Sequence, residues 1–131
     1  MNSLKIKVKK LSKDAILPRY AHKGDAGMDL FSTENLIIKA KEKAIVCTGI
    51  SIEIPAGFVA LIWDKSGLAA KNGLKTMGGV IEHGYRGEYK IILLNTSNKD
   101  FEIKKHQKIA QMLIQPIFTA EIQEVKELSS S

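Results

Sequence analysis

The chain of 131 residues is long enough to bury one hydrophobic core, and we expect a single domain over residues 1–131. Its apolar fraction of 44% is ordinary for a globular protein, and no run approaches the roughly 20 apolar residues that a membrane helix needs. One cysteine excludes an internal disulfide and favours a reducing compartment. The N-terminus lacks the apolar stretch of a signal peptide, so the expected location is cytoplasmic.

The formal net charge is +6, and lysine supplies almost all of the positive charge. A basic chain can bind a nucleic acid, a membrane surface or a small polyanion. Here the lysines are scattered and aromatic residues make up only 6% of the chain, which is unlike a base-stacking surface or a basic recognition helix. We therefore expect no nucleic-acid partner and no membrane partner, and a polyphosphate ligand or simple solubility explains the charge.

The hydrophobic pattern is mostly that of β-strands. Strands are expected, in chain order, at residues 4–8, 50–54, 58–63, 91–94, 101–104, 109–114 and 120–125, with turns at 55–57 and 96–100. Many short strands at close spacing predict an all-β sandwich or barrel.

Residues 64–73 are instead typical of a short helix. Asp64 or Ser66 could cap its start, and Asn72-Gly73 could close it in the left-handed region. The exposed N–H groups at its start, beside Lys65, could form an anion site. A plain helix cap explains the same residues.

Residues 78–95 predict a β-hairpin, because apolar stretches flank a bend that contains two glycines. Glu82 stands at the mouth of this bend and Tyr85 follows three residues later. An acid, a flat ring and a glycine-rich backbone suit a small ring-bearing ligand held against exposed main-chain groups. The alternative is an ordinary surface hairpin with a solvated glutamate.

Four segments together resemble motifs of the trimeric dUTP pyrophosphatases (dUTPases). They are AGMDL at 26–30, KSGLAAKNG at 65–73, GVIEHGYRGE with its trailing asparagine at 79–95, and KIAQMLIQP at 108–116. The resemblance implies an all-β, jelly-roll-like β-clip subunit with one short helix, assembled as a homotrimer with active sites at subunit interfaces. It also implies hydrolysis of dUTP to dUMP and pyrophosphate, which removes dUTP and supplies dUMP for thymidylate synthesis.

The resemblance assigns the catalytic and nucleoside-binding roles to residues 79–90. Glu82 would be the general base that activates a water for attack on the α-phosphorus. Tyr85 would pack under the deoxyribose and leave no space for a ribose 2′-hydroxyl. The backbone around Gly79, Val80 and Lys90 would pair with the uracil edge.

The phosphate oxygens would be held, from a neighbouring subunit, by Lys65, Ser66 and Gly67, and Gln111 would also touch the phosphate chain. Asp29 would be a supporting acid near the site, although a strand-edge aspartate in a turn is an equally simple interpretation. The resemblance implies Mg²⁺ bound through the substrate triphosphate. The three histidines show no ligand spacing, so we expect no protein-bound metal.

The chain departs from the family pattern at several positions. Glu82 replaces an aspartate, which moves the carboxylate by about 1.5 Å, and a misplacement of about 1 Å can cost on the order of a hundredfold in rate. Lys65 and Lys108 replace arginines, which keeps the positive charge but removes the paired hydrogen bonds that a guanidinium can make to a phosphate. His106 stands where a glycine turn is common, which predicts a positive φ. The glycine-rich fifth motif is not found, and without it we expect binding to survive and turnover to fall.

Three alternatives remain at this stage. A dCTP deaminase shares the fold, but its catalytic glutamate would be expected at residues 91–95, which contain no acid. A dUTPase-like trimer with weak or no catalysis, acting as a nucleotide- or protein-binding module, is favoured by Glu82 and by the missing fifth motif. A basic nucleic-acid-binding β protein is supported by charge alone.

Overall fold

The computed structural model describes residues 4–131, which form eleven β-strands and one α-helix. All strand pairs are antiparallel. The elements are β1 (Lys7–Lys10), β2 (Met28–Phe31), β3 (Leu36–Ile38), β4 (Lys43–Cys47), β5 (Ile50–Glu53), β6 (Phe58–Trp63), α1 (Ser66–Asn72), β7 (Leu74–Met77), β8 (Val80–Ile81), β9 (Lys90–Asn95), β10 (Phe101–Ile103) and β11 (Lys108–Pro116).

The strands form two larger sheets, with the orders β2-β11-β6-β8 and β4-β9-β7, and two pairs, β1-β5 and β3-β10. One cluster of buried apolar side chains joins the two larger sheets and includes Leu30, Ile62, Met112, Val46 and Ile91. Burying one face of each sheet against the other is what the alternating apolar pattern requires. The predicted all-β fold with one short helix is confirmed.

A buried asparagine closes the polar turn after β9. The Nδ2 group of Asn95 donates to the carbonyls of Ile38 at 2.9 Å and Lys99 at 2.7 Å, and its Oδ1 accepts from the Ser97 N–H at 3.0 Å. Its side chain is therefore fully used in holding β3 and the turn together, as a buried amide must be. The trailing asparagine of the third motif thus has a structural role in this chain.

The predicted hairpin over residues 78–95 is wrong. β8 pairs with β6, through Ala60 with Ile81 and Leu61 with Val80, whereas β9 pairs with β4 and β7. The bend between them therefore crosses from one sheet to the other. Periodicity shows that two stretches are extended, but their partners depend on contacts that are distant in sequence.

The predicted helix is confirmed, but its predicted N-cap is wrong. Lys65 is the N-cap residue and makes no side-chain capping bond. The Asp64 carboxylate does not cap the helix; its Oδ1 accepts hydrogen bonds from the backbone N–H and the hydroxyl of Thr76, both at 2.7 Å. Gly73 closes the helix with φ 67°, in the left-handed region that the sequence predicted.

The predicted strand at 120–125 is also wrong, because no strand follows Pro116. Apolar side chains in this terminal segment are almost completely exposed: Phe118 is 100%, Ile122 93% and Leu128 87% accessible. An extended segment becomes a strand only when a partner satisfies its backbone, and the described part of this chain supplies none.

Two smaller findings complete the fold. His106 has φ 70°, which confirms the positive φ predicted for the turn before β11. Within residues 4–131, no helix has both the length and the apolar character needed to cross a membrane.

Replacing Gly79 by alanine is expected to lower the free energy of unfolding by about 2–3 kcal/mol. Its φ is 104°, and an added Cβ would lie 2.9 Å from the carbonyl oxygen of Ile62 in β6. Gly84→Ala is the matched control, because Gly84 has no positive φ and no atom within 4 Å of an added Cβ. Urea denaturation should show a change of under about 0.5 kcal/mol for the control; equal losses would contradict this account.

Candidate active site

Three side chains from three neighbouring strands form a row across the larger sheet. Gln111 of β11 pairs directly with Asp29 of β2 on one side and with Trp63 of β6 on the other. Directly opposed residues of antiparallel strands project to the same face of the sheet. The sheet therefore places an acid, an amide and an indole side by side.

The Asp29 carboxylate is a buried charge held by two lysines. It is 3% exposed; its Oδ1 lies 2.6 Å from Lys65 Nζ and its Oδ2 lies 3.3 Å from Lys108 Nζ. The second contact is within ion-pair distance but is not aligned as a hydrogen bond, which leaves Oδ2 without a hydrogen-bond partner. Burial favours the neutral acid, but both lysines outweigh it and hold the pKa of Asp29 below its usual value.

Gln111 is anchored beside this ion pair. Its Nε2 donates to the carbonyl of Asp64 at 2.9 Å. A Cβ on Gly27 would overlap the Gln111 carboxamide, so the glycine of the first motif makes room for it. Gln111, Trp63 and Ser66 line an open cleft of about 730 Å³, named here the β11 cleft. Asp64 also lines the cleft, and its carboxylate is held by Thr76 and Lys75.

A second open cleft, of about 490 Å³, lies at the bend after β8 and is named here the bend cleft. Glu82, Tyr85, Tyr89 and Lys90 contribute to its lining. The Glu82 side chain is exposed, and among residues 4–131 it makes no side-chain hydrogen bond or ion pair. Its carboxylate is therefore available to a water or a ligand.

The Tyr85 ring is held in place within the bend cleft. Its hydroxyl donates to the Glu88 carbonyl at 2.9 Å, and its ring lies 6.1 Å from that of Tyr89 at a 43° tilt. A side chain on Gly87 would collide with it. Tyr89 is fully buried, its hydroxyl has no hydrogen-bond partner among the residues that the structure describes, and burial raises its pKa to about 12.

Strand β8 offers backbone groups at the rim of the bend cleft. It is the last strand of its sheet, so one row of its N–H and C=O groups has no partner strand. Gly78 and Gly79 precede it with φ 69° and 104°, and Val80 is 64% exposed. A planar ligand with donors and acceptors on one edge could pair with such a row.

Glu82 and Lys65 lie toward opposite ends of β6. Ile81 pairs with Ala60, so Glu82 lies opposite Val59, whereas Lys65 follows the other end of the strand. Six extended residues separate these positions by about 20 Å. One chain thus brings together Asp29, Lys65, Ser66, Gly67 and Gln111, and separately Gly79, Val80, Glu82, Tyr85 and Lys90. The second group approaches the first where Gly79 lies against Ile62, but Glu82 and Lys65 stay apart along β6.

Sequence reasoning missed Trp63 as a member of the β11 cleft and Lys108 as the second partner of Asp29. Trp63 could have been noticed, because the alternation of β6 places it on the face opposite Ile62. Lys108 gave no such signal, because its contact with Asp29 depends on the register between β11 and β2.

The family model described as dUTPase matches residues 13–131. The deoxyuridine 5′-triphosphate nucleotidohydrolase of Clostridioides difficile is 52% identical over 128 residues, covering 96% of this chain and 90% of that protein. The corresponding protein of Clostridium tetani is 52% identical over 133 residues, covering 100% of this chain and 92% of that protein.

Solved structures agree. The dUTPase of Staphylococcus bacteriophage 80alpha, solved with dUPNHPP, has a TM-score of 0.91 at 32% identity, covering 98% of this chain and 92% of that chain. The dUTPase from phage phi11 of S. aureus has a TM-score of 0.90 at 30% identity, covering 96% and 99%. The fold is that of a dUTPase-like β protein. The chain belongs to the dUTPase family, and its enzyme class is dUTP diphosphatase.

Asp29→Asn is expected to lower the free energy of unfolding at neutral pH by about 1–3 kcal/mol. The folded pKa of Asp29 lies below its ordinary 3.8, so its stabilisation is present above that value and is lost as pH falls through the folded pKa. In urea denaturation, the free energy of unfolding of the variant should therefore fall less between neutral pH and about pH 3 than that of the unmodified chain. Glu102→Gln, an exposed acid on β10, is the control. Superimposable pH profiles for Asp29→Asn and the unmodified chain would contradict the assignment.

Proposed function

We propose that this chain hydrolyses dUTP to dUMP and pyrophosphate with Glu82 as the general base. The observation that carries the proposal is the exposed Glu82 carboxylate, which has no side-chain partner within residues 4–131 and shares a cleft with a fixed aromatic ring and an open strand edge. Relatives that are about half identical over nearly the whole chain bear the name of this activity.

Glu82 takes a proton from a water, whose oxygen attacks the α-phosphorus in line with the bond to the β-phosphate. The new P–O bond forms as the bond from the α-phosphorus to the bridging oxygen breaks, and pyrophosphate leaves with that bond's electron pair. A carboxylate with no other hydrogen bond can accept this proton. No covalent intermediate is required, so no nucleophilic side chain is needed.

The bend cleft selects the nucleoside. The edge of β8 around Gly79 and Val80, with the backbone at Lys90, pairs with the donors and acceptors of uracil. The ring of Tyr85 lies under the deoxyribose. Because contacts with Glu88 and Tyr89 fix this ring, it cannot easily move aside to make space for a ribose 2′-hydroxyl.

The β11 cleft holds the phosphates. Lys65 supplies positive charge, Ser66 and Gly67 supply hydrogen-bond donors, and Gln111 contacts the chain of phosphates. Asp29 positions Lys65 through their 2.6 Å contact. The substrate is Mg²⁺-dUTP: the Lys65 ammonium, the Ser66 hydroxyl and the Gln111 amide suit the anionic phosphates, while the metal neutralises charge on the substrate itself.

The assembly is a homotrimer, with each site shared between copies. The separation of about 20 Å between Glu82 and Lys65 along β6 is too long for one chain to place both on one α-phosphorus. The almost completely exposed Phe118, Ile122 and Leu128 support burial of the terminal segment against another copy. Threefold symmetry closes such a head-to-tail contact into a ring. The cytoplasmic location stays a prediction from the sequence.

Glu82→Gln is expected to reduce kcat for dUTP by about 10²–10⁴-fold, because the amide cannot accept the proton. Glu82→Asp is the matched comparison and should retain activity, since it restores the shorter carboxylate of the family pattern. Pyrophosphate release from Mg²⁺-dUTP measures both, with dCTP, dTTP and UTP as competing substrates. Saturable dUTP binding without turnover by the unmodified chain would instead support a nucleotide-binding module.

Mixing two inactive variants should restore activity if the sites are shared. Lys65→Ala and Glu82→Gln each damage one half of a site, and a mixed trimer would contain some sites with both halves intact. We expect each variant alone to be nearly inactive and the co-refolded mixture to recover a minority of the activity.

Light scattering of the unmodified protein should give the molar mass of a trimer. A monomer with full activity, or a mixture with no recovery, would exclude the shared-site arrangement.

A further inference from the structure

We propose that Trp63 is an additional substrate-contacting residue, which forms an apolar wall beside the triphosphate chain. This inference rests on the proposed function, because it takes the β11 cleft as the place where the phosphates of dUTP bind. None of the four sequence motifs includes Trp63, which ends β6 two residues before Lys65.

The register of the sheet places Trp63 within the site. Trp63 is the direct partner of Gln111, which in turn is the direct partner of Asp29. Opposed residues of antiparallel strands have Cα atoms about 4.5–5.5 Å apart and share a face. A ligand that contacts Gln111 on this face is therefore also within reach of the long indole side chain of Trp63.

The indole is not part of the hydrophobic core. Ala60 and Ile62 face the core and are buried, whereas Trp63 projects to the opposite face and is 50% exposed. Apart from Trp63, the β11 cleft is lined by the apolar residues Ala26, Ala69, Ala70 and Leu113 and by the polar residues Asp64, Ser66 and Gln111. A large aromatic group is thus held half-exposed beside Ser66 and Gln111, two of the residues assigned to the phosphates.

Such a wall has a physical use beside a polyanion. By excluding water from one side of the phosphates, the indole lowers the local dielectric and strengthens their attraction to Lys65. This effect matters here because Lys65 shares its charge with the Asp29 carboxylate, 2.6 Å away. The indole Nε1–H is also a hydrogen-bond donor that a phosphate oxygen can use.

The chain contains one tryptophan, so its fluorescence reports on this position alone. We expect the emission of the unmodified protein to change on titration with Mg²⁺ and a non-hydrolysable imido analogue of dUTP. Deoxyuridine, which lacks phosphates, should occupy the bend cleft without changing the emission. Calorimetry run in parallel verifies that each ligand is bound. Bound analogue without an emission change, or an equal change with bound deoxyuridine, would overturn the proposal.

Steady-state kinetics provide the second test. Trp63→Ala should raise KM for dUTP about tenfold, and Trp63→Phe, which keeps an aromatic wall, about threefold or less. Ile37→Ala is the control, because Ile37 is 59% exposed on β3, outside both clefts. Thermal unfolding of each variant separates weakened binding from weakened folding. A KM for folded Trp63→Ala within about twofold of the unmodified value would overturn the proposal.

The two proposals fail in different ways. If the unmodified protein neither binds the analogue nor hydrolyses dUTP, the proposed function is wrong and the role of Trp63 is rejected with it. If the unmodified protein hydrolyses dUTP and Trp63→Ala matches it in KM, only the role of Trp63 is rejected.

Discussion

The buried carboxylate of Asp29 is the constraint on which the β11 cleft depends. A buried charge is tolerated only when opposite charges and hydrogen bonds compensate it. Lys65 and Lys108 supply that compensation, from the start of α1 and from the start of β11. One acid therefore ties β2, β11 and the helix together. Because the Asp29 carboxylate contacts both lysines, it also offsets the repulsion between their two ammonium groups.

The second constraint is the length of β6. Glu82 lies toward one end of the strand and Lys65 follows the other, and a rigid strand keeps them about 20 Å apart. The proposed sharing of sites between copies would overcome this separation. If the sites are shared in that way, a substitution at the subunit contact would affect activity even though it touches no substrate.

The contrast between the two acids fits the different roles proposed for them. Asp29 is buried, paired and low in pKa, which suits a fixed electrostatic support. Glu82 is exposed and unpaired among the described residues, which suits an acid that must exchange a proton with water. Tyr85 lies between these extremes, since its hydroxyl is used to fix its ring and the ring is left for the ligand. Environment, more than residue type, separates the three roles.

Much of this protein could be predicted from local sequence. Alternation indicated most of the strands, glycine at position 73 indicated the end of the helix, and the four motifs indicated the family, because each depends on residues close together in the chain. The tertiary structure alone decided which strands pair, and it replaced the predicted hairpin with a crossover between sheets. It also decided that Asp64 bonds to Thr76 instead of capping α1, that residues 120–125 form no strand, and that Trp63 joins Gln111. These outcomes depend on register and burial between segments distant in sequence, which local patterns do not encode.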